Sequence, residues 1–158
     1  MSNIHQEPAV NPLPPVVIIL FLAIAIPEAV FALGAAGVAG GPEAIGWRSA
    51  AIQTYAFSGD IFDWMVRNQV WPLEHVMRFV TYSFVHNSFT ETLFAAVLLL
   101  ALGKMVGEAL GQVAVVVIFL GAGIFGALIY GLLLNDPTWL LGAFPSVYGL
   151  IGGYTFIV

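Results

Sequence analysis

The chain has 158 residues, of which 60% are hydrophobic and 8% are charged, and its formal net charge is −5. Soluble domains carry about a quarter charged residues, so this composition excludes a soluble protein and indicates an integral membrane protein. Only four Lys and Arg residues and no Cys are present, which excludes nucleic-acid binding, disulfides and thiolate metal sites.

The N-terminal region predicts a polar tail followed by a first membrane span. The tail, 1–15, is rich in Pro, and the apolar run 16–34 follows it without a small-residue cleavage site, so we interpret this run as a retained span. Pro27 and Glu28 interrupt the run, which predicts a kink or an early exit near Ala29. Glu28 is expected either near an interface or facing protein.

The region 35–87 is predicted to be a long first loop that lies partly within one leaflet. It places aromatic residues beside isolated charges, a composition typical of the membrane interface. Ser58 is positioned to cap a short interfacial helix in which Ile61, Trp64 and Met65 share one face. We therefore take Trp64 as a candidate structural residue of this loop.

Three further apolar segments predict spans at 88–106, 112–134 and 143–158, so the whole chain is expected to form one helical domain. A turn is predicted at 135–138, where Asn, Asp and Pro occur together. The last segment is still hydrophobic at Val158, and we expect the natural protein to continue beyond it.

Small residues mark two of these spans as packing surfaces. Glycine recurs at every fourth position at Gly103, Gly107 and Gly111, and the last span contains Gly149 and Gly153. On a helix such residues form a smooth face that another helix can approach closely. We favour packing within the protein and keep docking of a partner helix as the alternative.

Two separated blocks, 78–86 (RFVTYSFVH) and 142–152 (GAFPSVYGLIG), resemble one protein family. The first is similar to an Arg-x-x-Thr-x-x-Phe-x-His stretch that enters a second membrane helix. The second is similar to the segment that carries a catalytic serine on a fourth helix. Both belong to the rhomboid intramembrane serine proteases. The resemblance covers 78–153 and implies an all-α, rhomboid-like bundle with at least four transmembrane helices and a partly embedded first loop.

Laid over the family pattern without a gap, the catalytic serine falls on Phe144 and the glycine after it on Pro145. The His and Asn that help form the oxyanion pocket fall on Glu91 and Ala95. A phenyl ring cannot attack a carbonyl, alanine donates no hydrogen bond, and an ionised Glu91 would repel an oxyanion. The family's catalytic histidine lies on a sixth helix, beyond Val158. The resemblance therefore implies a pseudoprotease without catalytic residues.

Ser146 keeps an enzymatic alternative open. It lies two positions past the family serine, and a Ser146–His86 pair would make the chain an active protease with a rearranged centre. The alternative that we favour is a hydroxyl that bonds a backbone carbonyl or caps the helix with Pro145. His86 and Arg78 are predicted to be structural, with Arg78 tying the loop to carbonyl groups. Glu91 is either a functional group or a partner of the helix dipole.

Composition and resemblance together predict a membrane protein that binds or scaffolds other transmembrane helices, using the loop aromatics and the glycine faces. A structural subunit or assembly factor of a larger membrane complex, such as an energy-transducing one, is the alternative. We expect no cofactor, metal, nucleic acid or small-molecule substrate, and a bacterial inner membrane location. Arg48, Arg67 and Arg78 would place the first loop inside the cell, whereas the resemblance places it outside, and we follow the resemblance.

Overall fold

The structure, a computed structural model, describes residues 12–134 and 138–158. Most of the predicted N-terminal tail and three residues of the predicted turn at 135–138 lie outside the described residues. The described part contains eight α-helices in chain order: α1 (Pro15–Ala35), α2 (Trp47–Tyr55), α3 (Gly59–Asn68), α4 (Leu73–Val76), α5 (Arg78–Thr81), α6 (Phe89–Leu110), α7 (Gln112–Leu133) and α8 (Phe144–Ile157). The predicted all-α membrane bundle is confirmed.

Within the described residues, three helices, α1, α6 and α7, are long and apolar enough to cross a membrane. Each has 21 or 22 residues, close to the roughly 20 that span a bilayer core. The fourth predicted span corresponds to α8, which has 14 residues and is shorter than a complete crossing requires.

Helix α1 continues through Pro27 to Ala35, so the early exit predicted near Ala29 is wrong. Proline is tolerated inside membrane helices because neighbouring helices support the turn that loses its hydrogen bond. Here α6 packs along α1, and Glu28, the next residue after Pro27, is buried in the protein. The polar interruption therefore marks an inward-facing site and not the end of the span.

The four long helices pack around one buried core. The core residues come from every one of them and from the residue that precedes α8, and they are Val17, Leu20, Ile24, Ala95, Leu99, Val106, Val115, Phe119, Ala143, Val147 and Leu150. Glycines allow the close approaches. A Cβ atom on Gly103 would lie 3.1 Å from both Val17 methyl groups, and one on Gly107 would lie 2.9 Å from the Pro14 ring.

The glycines of α8 serve the same purpose against α7. A Cβ atom on Gly149 would overlap the Ala122 side chain, and one on Gly153 would lie 3.0 Å from Ile118. Gly111 differs, because its φ of +89° forms the single-residue turn between α6 and α7 and nothing lies near its Cβ direction. Other parts of the same chain therefore contact the faces that carry Gly103, Gly107, Gly149 and Gly153, and docking of a partner helix there stays a prediction.

The first loop is more structured than the single interfacial helix that the sequence predicts. It contains α2 to α5, a 3-10 helix at Pro42–Gly46 and another at Tyr82–Phe84. It also contributes strand β1 (Phe57–Ser58), which pairs antiparallel with β2 (Trp139–Leu140) ahead of α8. This short ladder fastens the loop to the start of the last helix.

Helix α3 has the predicted cap. The Ser58 hydroxyl accepts a hydrogen bond from the Ile61 amide at 3.4 Å. Phe62 and Met65 are the buried side chains, whereas Trp64 is 46% exposed and its ring lies edge-on to that of His75. The buried pair joins a second apolar cluster beneath the loop that also contains Phe57, Tyr82 and Ala127.

The tight contact between α7 and α8 predicts that Gly149→Ala destabilises the protein. The new methyl group would overlap the Ala122 side chain and approach the Ile118 carbonyl at 3.1 Å, and overpacking of this kind costs about 1–3 kcal/mol. Gly152→Ala is the matched control, because nothing lies within 4 Å of its Cβ position. Thermal unfolding in detergent should show a lower midpoint for the first variant only, and equal midpoints would contradict this packing.

Candidate functional site

The long helices run alternately up and down, so one end of the bundle collects the first loop, the start of α6 and the start of α8. We call this the loop end. The residues that carry the family resemblance, including His86, Glu91, Phe144 and Ser146, all lie there.

An open cavity at the loop end has a volume of about 640 Å³. Its walls come from α2, the start of α6 and the segment around β2, and its lining residues are Ile52, Asn87, Glu91, Thr138, Trp139, Leu141 and Phe144. Two positions singled out from the sequence, Phe144 and Glu91, therefore face one space. The third, Ala95, does not: it is fully buried in the helical core.

Glu91 lies in the first turn of α6, where it takes part in the capping of the helix. The Ser88 hydroxyl accepts a hydrogen bond from the Glu91 amide at 3.3 Å, and the Glu91 Oε2 atom accepts one from the Asn87 amide at 3.0 Å. This arrangement is similar to a capping box, except that the Glu91 carboxylate accepts from the residue before the N-cap, and a carboxylate there also complements the helix dipole. Its position in the cavity wall leaves the functional alternative in place.

Ser146 lies away from the cavity in a buried cluster of hydroxyl groups. Its side chain is fully buried, and its Oγ atom lies 3.4 Å from Ser83 Oγ. The neighbouring Tyr82 hydroxyl donates a hydrogen bond to the Gly123 carbonyl at 2.7 Å, and burial raises the pKa of Tyr82 to about 12. A Cβ atom on Gly123 would lie 2.7 Å from Ser146 Oγ, so this glycine makes room for the cluster.

His86 is engaged with the backbone at the start of α8 rather than with Ser146. Its Nε2 atom accepts a hydrogen bond from the Ala143 amide at 3.1 Å, which requires the neutral ring with its proton on Nδ1. Burial lowers the pKa of His86 to about 4, consistent with a neutral ring. The structure therefore does not assemble the Ser146–His86 pair considered above, and the structural role expected of His86 stays a prediction that this contact supports.

Arg78 lies in the first loop and contacts a backbone carbonyl there. It is 8% exposed, and its guanidinium donates a hydrogen bond to the Ala56 carbonyl at 2.8 Å. The group also lies 5.8 Å from the Trp139 ring centre, a cation–π contact with the segment ahead of α8. Burial lowers the Arg78 pKa from its usual value.

A buried ion pair joins α1 to the first loop and to α6, and sequence reasoning did not predict it. The Arg48 guanidinium donates hydrogen bonds to both Glu28 carboxylate oxygens, at 2.8 and 2.6 Å, and another to the His86 carbonyl at 2.9 Å. The Thr92 hydroxyl donates to Glu28 Oε2 at 2.8 Å. We call Glu28, Arg48 and Thr92 the tether. The one sequence feature that pointed to this ion pair was a carboxylate, Glu28, inside a predicted span. Its partner Arg48 lies 20 residues away in the sequence.

Among the described residues, no group of three or more His, Cys, Asp or Glu side chains is arranged to hold a metal ion. The polar groups of the loop end instead bond one another and the backbone. The arrangement is therefore suited to holding helix ends and a cavity wall in place.

The geometry of the loop end can now be compared with known proteins. The family model for the rhomboid domain matches residues 73–158, more than half of the chain. The chain belongs to the rhomboid family. No curated protein and no solved structure matches it.

The rhomboid match begins within the first loop, so Glu28 and Arg48 precede it and Thr92 and His86 lie inside it. The tether thus connects the N-terminal helix to the matched rhomboid region through side chains on both sides of the boundary. The matched region also contains the cavity residues Phe144 and Glu91 and the buried Ser146.

The tether predicts that Arg48→Met lowers the free energy of unfolding by about 2–3 kcal/mol, because the variant leaves the Glu28 carboxylate buried without its cation. The Glu28 side chain is 6% exposed and that of Arg48 is 23% exposed. Arg67→Met removes an ion pair to Asp63 whose arginine is 79% exposed, and should change stability by less than about 0.5 kcal/mol. Denaturant unfolding in detergent measures both, and similar effects would refute the role of the tether.

His86 predicts an acid-dependent loss of stability. Its pKa is lowered from 6.5 to about 4, so the unfolded chain binds the extra proton between these values and the folded chain does not. The stabilisation is complete above about pH 6.5 and falls as the pH drops toward 4. His86→Gln retains an acceptor for the Ala143 amide but cannot titrate, so its unfolding midpoint should fall less between pH 7 and pH 4. Parallel pH profiles would contradict this.

Proposed function

We propose that this rhomboid-family chain lacks proteolytic activity and acts in a bacterial inner membrane by binding other transmembrane helices. The observation that carries the proposal is the position of Phe144. The family resemblance aligns Phe144 with the serine nucleophile. The Phe144 side chain lines the loop-end cavity, where a nucleophile would have to lie to reach a substrate. A phenyl ring has no nucleophilic atom, and Pro145 after it has no amide proton to donate to an oxyanion.

The surroundings of Ser146 support the same proposal. A serine nucleophile requires a base within hydrogen-bonding reach and a path for the substrate. The Ser146 hydroxyl is buried beside Ser83, and the ring nitrogen of His86 that could act as a base accepts the Ala143 amide proton instead. An active centre at this serine would require both contacts to break.

A groove between α1 and α6 supports the binding part of the proposal. It has a volume of about 200 Å³ and a mostly apolar surface, and the tether residues Glu28 and Thr92 are also part of its lining. Alanines form much of its surface, with a phenyl ring on each helix beside them: Ala25, Ala29, Ala32, Ala96, Phe21 and Phe89. Small residues let a second helix approach closely, which is the main source of attraction between helices in lipid.

The proposal is tested by purifying the tagged protein from its native membrane in mild detergent and quantifying accompanying proteins by mass spectrometry. We expect several single- or multi-span membrane proteins at less than equimolar ratio. Ala29→Phe fills the groove and should reduce their recovery several-fold. Val30→Phe, on the neighbouring residue outside the groove lining, is the matched control.

Recovery of no membrane protein above background, or equal recovery with both variants, would contradict helix binding through this groove. One dominant partner at a fixed ratio would instead identify the chain as a structural subunit of a larger complex. A serine-directed fluorophosphonate probe tests the remaining alternative. We expect no labelling of either the native protein or Ser146→Ala, while labelling that disappears in Ser146→Ala would establish an active protease.

A further inference from the structure

The loop-end cavity combines apolar walls with one carboxylate. Ile52, Leu141 and Phe144 provide apolar surface, and Glu91 stands in the same wall at the start of α6. One Glu91 oxygen accepts a hydrogen bond from the Asn87 amide. The capping of the helix does not use the other oxygen. The carboxylate therefore retains acceptor capacity on the side of the cavity.

The positively charged side chains near the cavity do not neutralise the Glu91 carboxylate. Arg48 is close enough for Glu91 to raise its pKa, but its guanidinium is bonded to both oxygens of Glu28. Arg78 lies behind the Trp139 ring and interacts electrostatically with Glu74. The Arg48 guanidinium is thus bonded to another carboxylate and that of Arg78 to the Ala56 carbonyl, so the Glu91 carboxylate adds a negative charge to the cavity wall.

The shape of the cavity favours a group that is part of a longer chain. Its volume of about 640 Å³ lies in the range of small-ligand sites, roughly 300–1,000 Å³, and exceeds the size of one side chain. Lys and Arg place an aliphatic stem against apolar surface and a charged head at a polar site. They also commonly flank transmembrane helices at the membrane interface, the depth at which α6 begins.

We propose that the loop-end cavity receives a Lys or Arg residue that flanks a partner's transmembrane helix, with Glu91 as its ion-pair acceptor. This inference rests on the proposed helix-binding function and specifies the chemistry of the partner. The apolar side chains beside Glu91 lower the polarity around the pair, which makes a charge-assisted hydrogen bond stronger than at a fully exposed surface. The groove between α1 and α6 would contact the body of the helix, and the cavity would select its end.

The test uses the purified protein in detergent micelles and two synthetic peptides. Both peptides have the same Leu/Ala span of about 20 residues, and they differ only in a flanking Arg or Gln. Fluorescence anisotropy measures their dissociation constants. We expect the Arg peptide to bind about tenfold more tightly, because only its flanking residue can form a charge-assisted hydrogen bond with Glu91.

Glu91→Gln should abolish this preference, because glutamine keeps the size and the acceptor for the Asn87 amide but not the charge. Glu108→Gln, at the opposite end of α6, is the matched control and should retain the preference. Ile52→Trp, which narrows the cavity without changing its charge, should also reduce binding of the Arg peptide to the level of the Gln peptide. Unchanged thermal unfolding midpoints would show that these variants fold.

Equal binding of the two peptides to the native protein would overturn the inference and leave helix binding intact. An equal loss of preference in Glu91→Gln and Glu108→Gln would also overturn it, because the effect would then reflect overall charge. Failure of either peptide to bind would count against both the inference and the proposed helix binding.

Discussion

The structure depends on one buried carboxylate, that of Glu28, and on the side chains that bind it. Glu28 lies in the middle of a long apolar helix, where an unpaired charge would be expensive, and Arg48 and Thr92 together satisfy it. Because Arg48 belongs to the first loop and Thr92 to α6, the Glu28 carboxylate joins three elements: α1, the first loop and α6. Arg48 also binds the His86 carbonyl, so the tether reaches the residue that holds the start of α8.

Polar contacts at the loop end consequently surround an open cavity. Arg78, His86 and the two-stranded ladder all hold the segment ahead of α8 against the first loop. Phe144 then enters α8 with a fixed position in the cavity wall. A rhomboid scaffold organised in this way has a recess at the loop end and a separate groove between α1 and α6.

The helical bundle was predictable because long apolar runs have few structural solutions in a membrane. The family assignment was predictable because two short blocks kept their order and spacing. The tether was not, since nothing local in the sequence relates Glu28 to a residue in the next loop. The placement of Ser146 among hydroxyl groups likewise depends on Gly123, which is 23 residues away (146 − 123).

The turn at Gly111 has a consequence for the orientation of the two helices that it joins. With a single residue between two 22-residue helices, α6 and α7 run in opposite directions beside each other. If one of them crosses a bilayer in one direction, the other crosses it in the opposite direction. A chain with only four Lys and Arg residues therefore does not need flanking charge to orient these two helices relative to each other, because a glycine with φ of +89° already does so.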